Sequence, residues 1–174
     1  MKRLESSVKA PDRQAQFEEL YAQYADDVLR MAYFYLADKQ KAEDVCQDVF
    51  VKLYTRGEAI APGCEKAWLL RVTVNCCRDL WRSAWLKRVV LGAPTLDIIP
   101  AQEETFEQRE EKLMRAIHKL PRQFRETILL HYYQGLGIAE IAQMLGLPEG
   151  TISSRLSRAR KKLESLLKEE ATGD

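Results

Sequence analysis

The chain is poor in the residues on which several classes of protein depend. Its 174 residues include only two histidines and four cysteines, and no two cysteines have the CxxC spacing. Adjacent residues such as Cys76 and Cys77 cannot easily reach one metal ion or each other, which favours buried or unreactive thiols over a zinc or redox site. Glycine (8) and proline (6) are also scarce, and their scarcity favours a helical protein.

Long apolar runs are lacking as well. No stretch approaches the ~18 apolar residues of a membrane span, and the polar start MKRLESSVKAPDRQ has no signal-peptide core. The sequence therefore predicts a cytoplasmic protein.

Motifs of catalysis are equally absent. The chain has no HExxH motif, no glycine-rich phosphate loop and no carboxylate pair or Cys/His cluster. His131 is predicted to be a half-buried structural residue, with no carboxylates around it or His118. An enzyme, such as a thiol- or metal-dependent nuclease, is the least favoured class, and no cofactor or metal site is predicted.

The charge is nearly balanced overall but unevenly distributed. The formal net charge is +1. Residues 1–60 hold nine basic and eleven acidic side chains, whereas residues 61–92 hold six basic and two acidic ones. Residues 155–162 hold five basic side chains and no acidic one. Local basic patches of this kind allow contact with nucleic acid even when the protein as a whole is not basic.

The segment IAEIAQMLGLPEGTISSRLSRARKKL, residues 138–163, is predicted to be a helix-turn-helix. Apolar residues recur at helical spacing on both sides of a turn. Gly146 suits a helix end and Pro148 suits a first helical position. The second helix carries small hydroxyl and basic side chains away from its apolar face, as in helices that enter the major groove. The alternative is a helical hairpin with an ordinary solvated face.

Two further helices are predicted near the N-terminus, at residues 14–36 and 42–54. The second has an apolar face that contains Val45, Val49 and Leu53. Its other side carries Glu43, Asp44, Gln47 and Asp48. This acidic side fits a basic partner, or alternatively a solvated face that gains from charge near a helix N-terminus.

Residues 67–88 are predicted to form a helix with a polar stripe. The stripe contains Arg71, Asn75, Arg78 and Arg82, and Trp68, Trp81 and Trp85 interleave with it. Arginine contacts phosphate, asparagine can bond a base edge, and aromatic rings can stack on unpaired bases. Core packing is the favoured alternative for Trp68. The β-branched run 72–74 favours a strand mildly, but its flanks favour a helix.

The helical pattern breaks at residues 89–104, which are predicted to be a linker. Helices at 105–120 and 124–133 follow. The predicted fold is therefore all-α, with two small helical domains, 12–88 and 105–168, joined by a flexible linker, and with the helix-turn-helix in the second domain.

Three segments, in this order, resemble the sigma-70 family of RNA polymerase sigma factors, and within it the extracytoplasmic-function (ECF) group. They are AEDVCQDVFVKLY (42–54), AWLLRVTVNCCRDLWR (67–82) and LPRQFRETILLHYYQGLGIAEIAQMLGLPEGTISSRLSRARKKL (120–163). The resemblance covers nearly all of the chain. It departs from the family at Ser153, where a basic residue is common, and in the loop 57–66.

The resemblance implies a transcription initiation factor that binds core RNA polymerase and promoter DNA and has an anti-sigma factor as a further partner. The polymerase contacts would be to the β′ coiled coil and the β subunit, with Glu43, Asp44, Gln47 and Asp48 docking on the coiled coil. The loop 57–66 would hold a flipped base of the −10 element. Residues implied to contact that element are Lys66, Arg71, Asn75, Arg78 and Arg82.

The same resemblance assigns the second helix of the helix-turn-helix to the −35 element. The residues implied to contact it are Thr151, Ser153, Ser154, Arg155, Arg158, Arg160 and Lys161. The alternative function is a stand-alone helix-turn-helix regulator, which would form dimers and bind a palindromic operator unaided. Such a regulator has no need of the acidic helix.

Overall fold

The computed structural model describes residues 10–56, 60–91 and 106–172, and every regular element within them is helical. The helices are α1 (Ala10–Leu36), α2 (Lys39–Thr55), α3 (Glu65–Leu91), α4 (Phe106–Lys119), α5 (Arg122–Ile128), α6 (Ile138–Leu145) and α7 (Glu149–Thr172). The all-α prediction is confirmed. None of the described helices is long and apolar enough to cross a membrane.

Helices α1, α2 and α3 form the N-terminal module around an apolar core. Four α1 residues at helical spacing, Val28, Met31, Ala32 and Tyr35, are all buried. They pack against buried side chains of α2 and α3, which include Val45, Val49, Leu69, Leu70 and Val74. Helix α3 begins two residues before the predicted start and continues three residues beyond position 88.

The β-branched run in α3 is helical, and the buried hydroxyl of Thr73 explains how it is accommodated. This hydroxyl donates to the carbonyl oxygen of Leu69 at 2.8 Å, one turn earlier. The polar atom is thereby satisfied inside the core, as a buried hydroxyl requires. Val72 and Val74, on either side of Thr73, are therefore part of a helix, because tertiary packing overrides their preference for β structure.

Helices α4 to α7 form the C-terminal module. The buried guanidinium of Arg125 organises it. Its nitrogen atoms donate to carbonyl oxygens at the end of α4, namely those of Ile117 and Leu120 at 3.2 Å each and that of His118. Because the last carbonyls of a helix have no partner within the helix, Arg125 serves as a cap for α4 and fixes α5 against it.

A π-helical turn, Leu129–Tyr133, continues α5. The Gln134 N–H donates to the Leu129 carbonyl oxygen five residues earlier at 3.0 Å. Leu129 and Leu130 stay in the core, whereas Tyr132 and Tyr133 are 56% and 38% exposed. The predicted helix 124–133 is thus present, but its last part has the wider π geometry.

The two modules pack against each other. One continuous apolar cluster contains α1 to α3 residues together with Ile117, Leu129, Leu130 and several α6 and α7 residues. The rings of Phe34 in α1 and Tyr133 lie 4.8 Å apart between centroids. The predicted linker lies largely outside the described residues, as does Thr105, the predicted start of α4.

Candidate functional site

The acidic side of α2 is fully presented to solvent. Glu43, Asp44, Gln47 and Asp48 are all exposed, while Ala42, Val45 and Val49 on the opposite side are buried. No described residue forms an ion pair with the carboxylates of Glu43 or Asp44. This face is therefore a free, negatively charged surface.

The start of α2 bears on the alternative interpretation, in which these acids form a solvated face that gains from charge near the helix N-terminus. Asp38 is the N-cap, and its side chain accepts hydrogen bonds from the Lys41 N–H at 3.0 Å and from the Lys41 ammonium group at 2.6 Å. These bonds hold the pKa of Asp38 below its usual value. The helix begins at Lys39 and has no acid in its first turn. Since the effect of a helix dipole falls off within that turn, it gives Glu43 and Asp44 little stabilisation.

Two exposed apolar side chains continue the acidic side toward the end of α2. Val51 is 58% exposed and Tyr54 is 53% exposed. They follow Gln47 and Asp48 at helical spacing and so share their side of the helix. The Tyr54 ring rests edge-on against Phe17 of α1, with centroids 5.3 Å apart. The whole strip combines negative charge with contact area for a partner.

The polar stripe of α3 has three exposed members, Arg71, Asn75 and Arg82. They follow one another by four and seven residues, so they lie on one side of the helix. Lys66, near the start of α3, forms an ion pair with Asp27 of α1 at 3.2 Å. The stripe thus carries three unburied groups that can reach phosphates and base edges.

Arg78 is the exception in this stripe. Its guanidinium is turned to the C-terminal module and forms a two-pronged ion pair with the buried carboxylate of Glu126, with Nε–Oε1 2.8 Å and Nη2–Oε2 2.6 Å. The side chain of Arg78 is 26% exposed. In this arrangement Arg78 does not face solvent beside Arg71, Asn75 and Arg82, and a nucleic acid on that face does not reach it.

The tryptophans have different environments. Trp68 is half-buried against the core, and the Arg56 guanidinium lies 5.1 Å from the centre of its ring. This agrees with the packing alternative for Trp68. Trp81 is 41% exposed on α3. The side chain of Trp85 and residues 57–59 of the predicted −10 loop lie outside the described part of the chain.

The predicted helix-turn-helix is formed by α6 and α7. Gly146 ends α6 in the left-handed conformation, with φ = 66°, as the sequence predicted for a helix end. The Pro148 carbonyl oxygen accepts from the N–H groups of Thr151 and Ile152. Pro148 therefore directly precedes α7 instead of filling its first helical position. The buried side chains of Ile152, Leu156 and Ala159 hold α7 against the module.

The residues predicted to contact the −35 element lie around three sides of α7. At about 100° per residue, Ser154, Arg158 and Lys161 point directly away from the buried stripe, and all three are exposed. Ser153 and Arg160 are exposed on one flank. Arg155 and Thr151 are half-buried. Arg160 lines an apolar groove with Phe34, Tyr133 and Leu163, so it lies beside the N-terminal module.

The remaining candidate groups have structural surroundings. Cys76 and Cys77 are buried, Cys46 is half-buried and Cys64 is exposed. Burial raises the pKa of the Cys77 thiol well above its usual value. Nδ1 of the half-buried His131 lies 2.8 Å from the Leu136 carbonyl oxygen. In the described residues no three His, Cys, Asp or Glu side chains lie together as metal ligands would.

Sequence reasoning missed the buried polar cluster that joins the modules. Glu126 and Tyr35 are 1% and 0% exposed, and the Tyr35 hydroxyl donates to Glu126 Oε1 at 2.6 Å. The one signal in the sequence is the pair Arg125–Glu126, which lies between Phe124 and the apolar residues Ile128, Leu129 and Leu130. Charged residues in such a position are buried only with partners, and here the partners come from far along the chain.

Comparison with known proteins agrees with this geometry. Residues 20–87 match the family model described as Sigma-70 region 2, and residues 110–163 match Sigma-70, region 4. The first match covers α1 to α3 with the acidic side and the polar stripe. The second covers the helix-turn-helix. The class that the two modules define is therefore that of sigma factors.

Individual relatives agree. The ECF RNA polymerase sigma factor SigE of Mycolicibacterium smegmatis is 32% identical over 157 residues, which cover 87% of this chain and 61% of SigE. SigM of Mycobacterium tuberculosis, also an ECF sigma factor, is 32% identical over 160 residues, which cover 91% of this chain and 80% of SigM. The sigma factor RpoE of Bartonella quintana, solved with the anti-sigma factor NepR, superposes with a TM-score of 0.74 at 27% identity. That alignment covers 88% of this chain and 97% of RpoE.

The chain belongs to the sigma-70 family of RNA polymerase sigma factors, in its ECF group. Members of this family are transcription initiation factors and not enzymes in themselves.

Proposed function

We propose that this protein binds core RNA polymerase and directs it to promoters that carry matched −10 and −35 elements. One observation carries the proposal: a free acidic side on α2 is followed, on the same chain, by a polar stripe on α3 and a basic helix-turn-helix. A protein that only binds DNA gains nothing from the first surface. A polymerase specificity subunit needs all three.

The acidic side of α2 is the proposed polymerase contact. Glu43, Asp44, Gln47 and Asp48 would face the basic β′ coiled coil, since opposite charges on two surfaces speed and orient docking. Val51 and Tyr54 extend the contact with apolar area, and aromatic residues are enriched where interfaces are buried. Further contacts would be made to the β subunit.

The polar stripe of α3 is the proposed −10 contact. Asn75 would bond a base edge, Arg71 and Arg82 would bind phosphates, and Lys66, near the start of α3, would also contact the −10 strand. A base taken out of the stack is most easily held once the duplex is already opening. Capture of the single strand therefore couples recognition to melting. Arg78 belongs to this set by its position on α3.

Helix α7 is the proposed −35 contact. Ser154 and Arg158 are on its solvent side and would reach base edges in the major groove, together with Ser153 and Arg155 on the flanks. Thr151, Arg160 and Lys161 would bind phosphates, which position the protein without reading sequence. The N-terminal half of α7 is held by buried Ile152 and Leu156, so these side chains are presented on a rigid element.

The proposal includes a regulator and a location. RpoE of Bartonella quintana was solved with an anti-sigma factor and aligns over most of this chain, which supports an anti-sigma factor as a partner here too. The protein would work in the cytoplasm, where polymerase and promoters are, or be held at the membrane by that partner. It would need no cofactor or metal and have no catalytic activity of its own.

The proposal is tested by transcription in vitro. Purified core polymerase is combined with a library of genomic promoter fragments, with and without this protein, and the 5′ ends of the transcripts are mapped. We expect new start sites that share two upstream elements. Active core without any protein-dependent start across the library would refute the proposal. A stand-alone regulator would instead bind a palindromic fragment tightly without polymerase.

A further inference from the structure

The carboxylate of Glu126 receives hydrogen bonds from the opposite module. Arg78 of α3 donates to both of its oxygen atoms at 2.8 and 2.6 Å, and the Tyr35 hydroxyl of α1 donates to Oε1 at 2.6 Å. Glu126 itself belongs to α5 and is 1% exposed. Charge-assisted and bidentate bonds of this length are the strong class of protein hydrogen bonds. The two modules are therefore joined by a specific polar contact in addition to apolar packing.

Further contacts beside this cluster also join the two modules. The Arg125 guanidinium donates to the Tyr35 carbonyl oxygen at 2.8 Å and lies 5.8 Å from the centre of the Tyr35 ring. Gln134 Nε2 donates to the Asp27 carbonyl oxygen at 3.2 Å. Each contact joins α1 to the C-terminal module, the first through α5 and the second through Gln134, just after the π-helical turn. The docked arrangement is thus a defined state of the molecule.

This docked state is too small for the proposed promoter contacts. A compact chain of 174 residues has a radius of gyration of about 16 Å, so it is roughly 40 Å across. Elements two helical turns apart on B-DNA are separated by ~70 Å. Residues 92–105 number fourteen and could reach at most about 50 Å. The modules can therefore cover both elements only after they separate.

We propose that the contact around Glu126 is an autoinhibitory latch, which holds the modules together and withholds Arg78 from DNA until they part. This inference rests on the proposed function, because it takes Arg78 as a phosphate contact for the −10 strand. By its spacing along α3, Arg78 belongs to the stripe of Arg71, Asn75 and Arg82, but its guanidinium is turned away from them to Glu126. It binds either the Glu126 carboxylate or a phosphate, since one guanidinium fork cannot serve both.

The C-terminal module contains a group that allows the latch to open. Arg122, one turn before Glu126 on α5, has its Nε 3.6 Å from Glu126 Oε1, and its side chain is 42% exposed. When the modules separate, Glu126 gains water and keeps Arg122 as a partner within its own helix. Opening therefore does not leave an uncompensated buried charge, which is what makes a broken buried pair so unfavourable.

The test compares Glu126→Gln with Glu164→Gln in the full chain. Both variants remove one negative charge from the C-terminal module, but Glu164 forms an exposed ion pair with Lys168 within α7. The radius of gyration is measured by small-angle X-ray scattering. Affinity is measured by fluorescence anisotropy with a labelled mixed-sequence DNA single strand of about 20 nucleotides, long enough for a single-strand site. Circular dichroism checks that helix content is retained.

We expect Glu126→Gln to raise the radius of gyration from about 16 Å toward roughly 25 Å, the value for two modules on an extended connection. The variant should also bind the single strand at least about tenfold more tightly, because apparent affinity rises with the fraction of molecules that are open and able to bind. Glu164→Gln should change neither. A gain of affinity separates an opened latch from a damaged fold, which would lose binding.

A second variant covers the case in which Glu126→Gln does not fold. Tyr35→Phe removes one hydroxyl donor to Glu126 and keeps the ring, and it should shift both quantities in the same direction by less. Unchanged scattering and affinity in a folded Glu126→Gln or Tyr35→Phe would overturn the latch. The transcription assay on the unaltered chain separates the two proposals, because its failure would remove the promoter function while the scattering still decides whether the modules are latched.

Discussion

Reversal of charge on the acidic side of α2 should abolish binding to core polymerase while leaving the fold intact. In Asp44→Lys/Asp48→Lys, two exposed carboxylates become cations. A carboxylate and a cation about 4 Å apart attract by about 1 kcal/mol even at the dielectric constant of water. Reversal replaces that attraction with a similar repulsion. The two positions together therefore weaken binding by at least about 4 kcal/mol, or roughly a thousandfold in Kd.

The fold should hardly respond to the same change. Both side chains are exposed and neither is part of the core, and surface substitutions usually alter the free energy of unfolding by less than about 0.5 kcal/mol. The largest local effect is that a lysine at position 48 would stand four residues from Lys52, a like-charge pair that destabilises a helix by a few tenths of a kcal/mol. Thermal unfolding by circular dichroism checks this expectation.

The assay is direct binding of labelled protein to purified core polymerase over a series of salt concentrations. Asp44→Asn/Asp48→Asn, which removes the charges without reversing them, should lose about half as much binding free energy. Glu18→Lys/Glu19→Lys is the matched control, because it makes the same change of charge at exposed positions of α1. Binding by the reversed variant that equals the unaltered chain at low salt would refute the assignment of α2 as the docking surface.

Three further outcomes test other parts of the molecule. Arg158→Ala should lower transcription from −35-dependent promoters by the loss of about 1–3 kcal/mol of DNA binding, with core binding retained; normal transcription would remove Arg158 from the −35 contact. Ile152→Ala should lower the free energy of unfolding in urea by about 2–5 kcal/mol, since Ile152 is 0% exposed, and a loss below 1 kcal/mol would contradict its place in the core. Asp38→Ala should cost about 1 kcal/mol of stability at neutral pH. The pKa of Asp38 is lowered in the folded state, so its carboxylate stabilises the fold above the unfolded pKa of about 4. That stabilisation is lost as the pH falls through the lower folded pKa. The Asp38→Ala variant and the unaltered chain should therefore become equally stable in acid.

The helices and their buried faces could be predicted from periodicity alone. Apolar residues three and four apart in α1, α2 and α7 marked the side that packs inward, and Gly146 marked the end of α6. These features depend on residues close together in sequence, where spacing determines which side chains share a face. The three segments that resemble the sigma-70 family also indicated the order of the two modules.

The contact between the modules could not be predicted, because it depends on pairs far apart in sequence. Arg78 and Glu126 are 48 residues apart, and Tyr35 and Glu126 are 91 apart. Isolated Arg and Glu residues are expected at the surface, since burial of an unpaired charge is unfavourable. Only the folded chain shows that each charge has its partner. The same reason explains why Arg78 was grouped with its exposed neighbours on α3.

The exposure of the thiols has a practical consequence for chemical labelling. Of the four cysteines, Cys64 alone is exposed, and Cys76 and Cys77 are buried. Cys46 is half-buried, and burial raises the pKa of its thiol, so less of it is in the reactive thiolate form. A maleimide fluorophore added to the unaltered protein should therefore attach chiefly to Cys64, immediately before α3. The dye would stand beside the proposed −10 contact, where its emission can follow promoter opening in real time without any engineered residue.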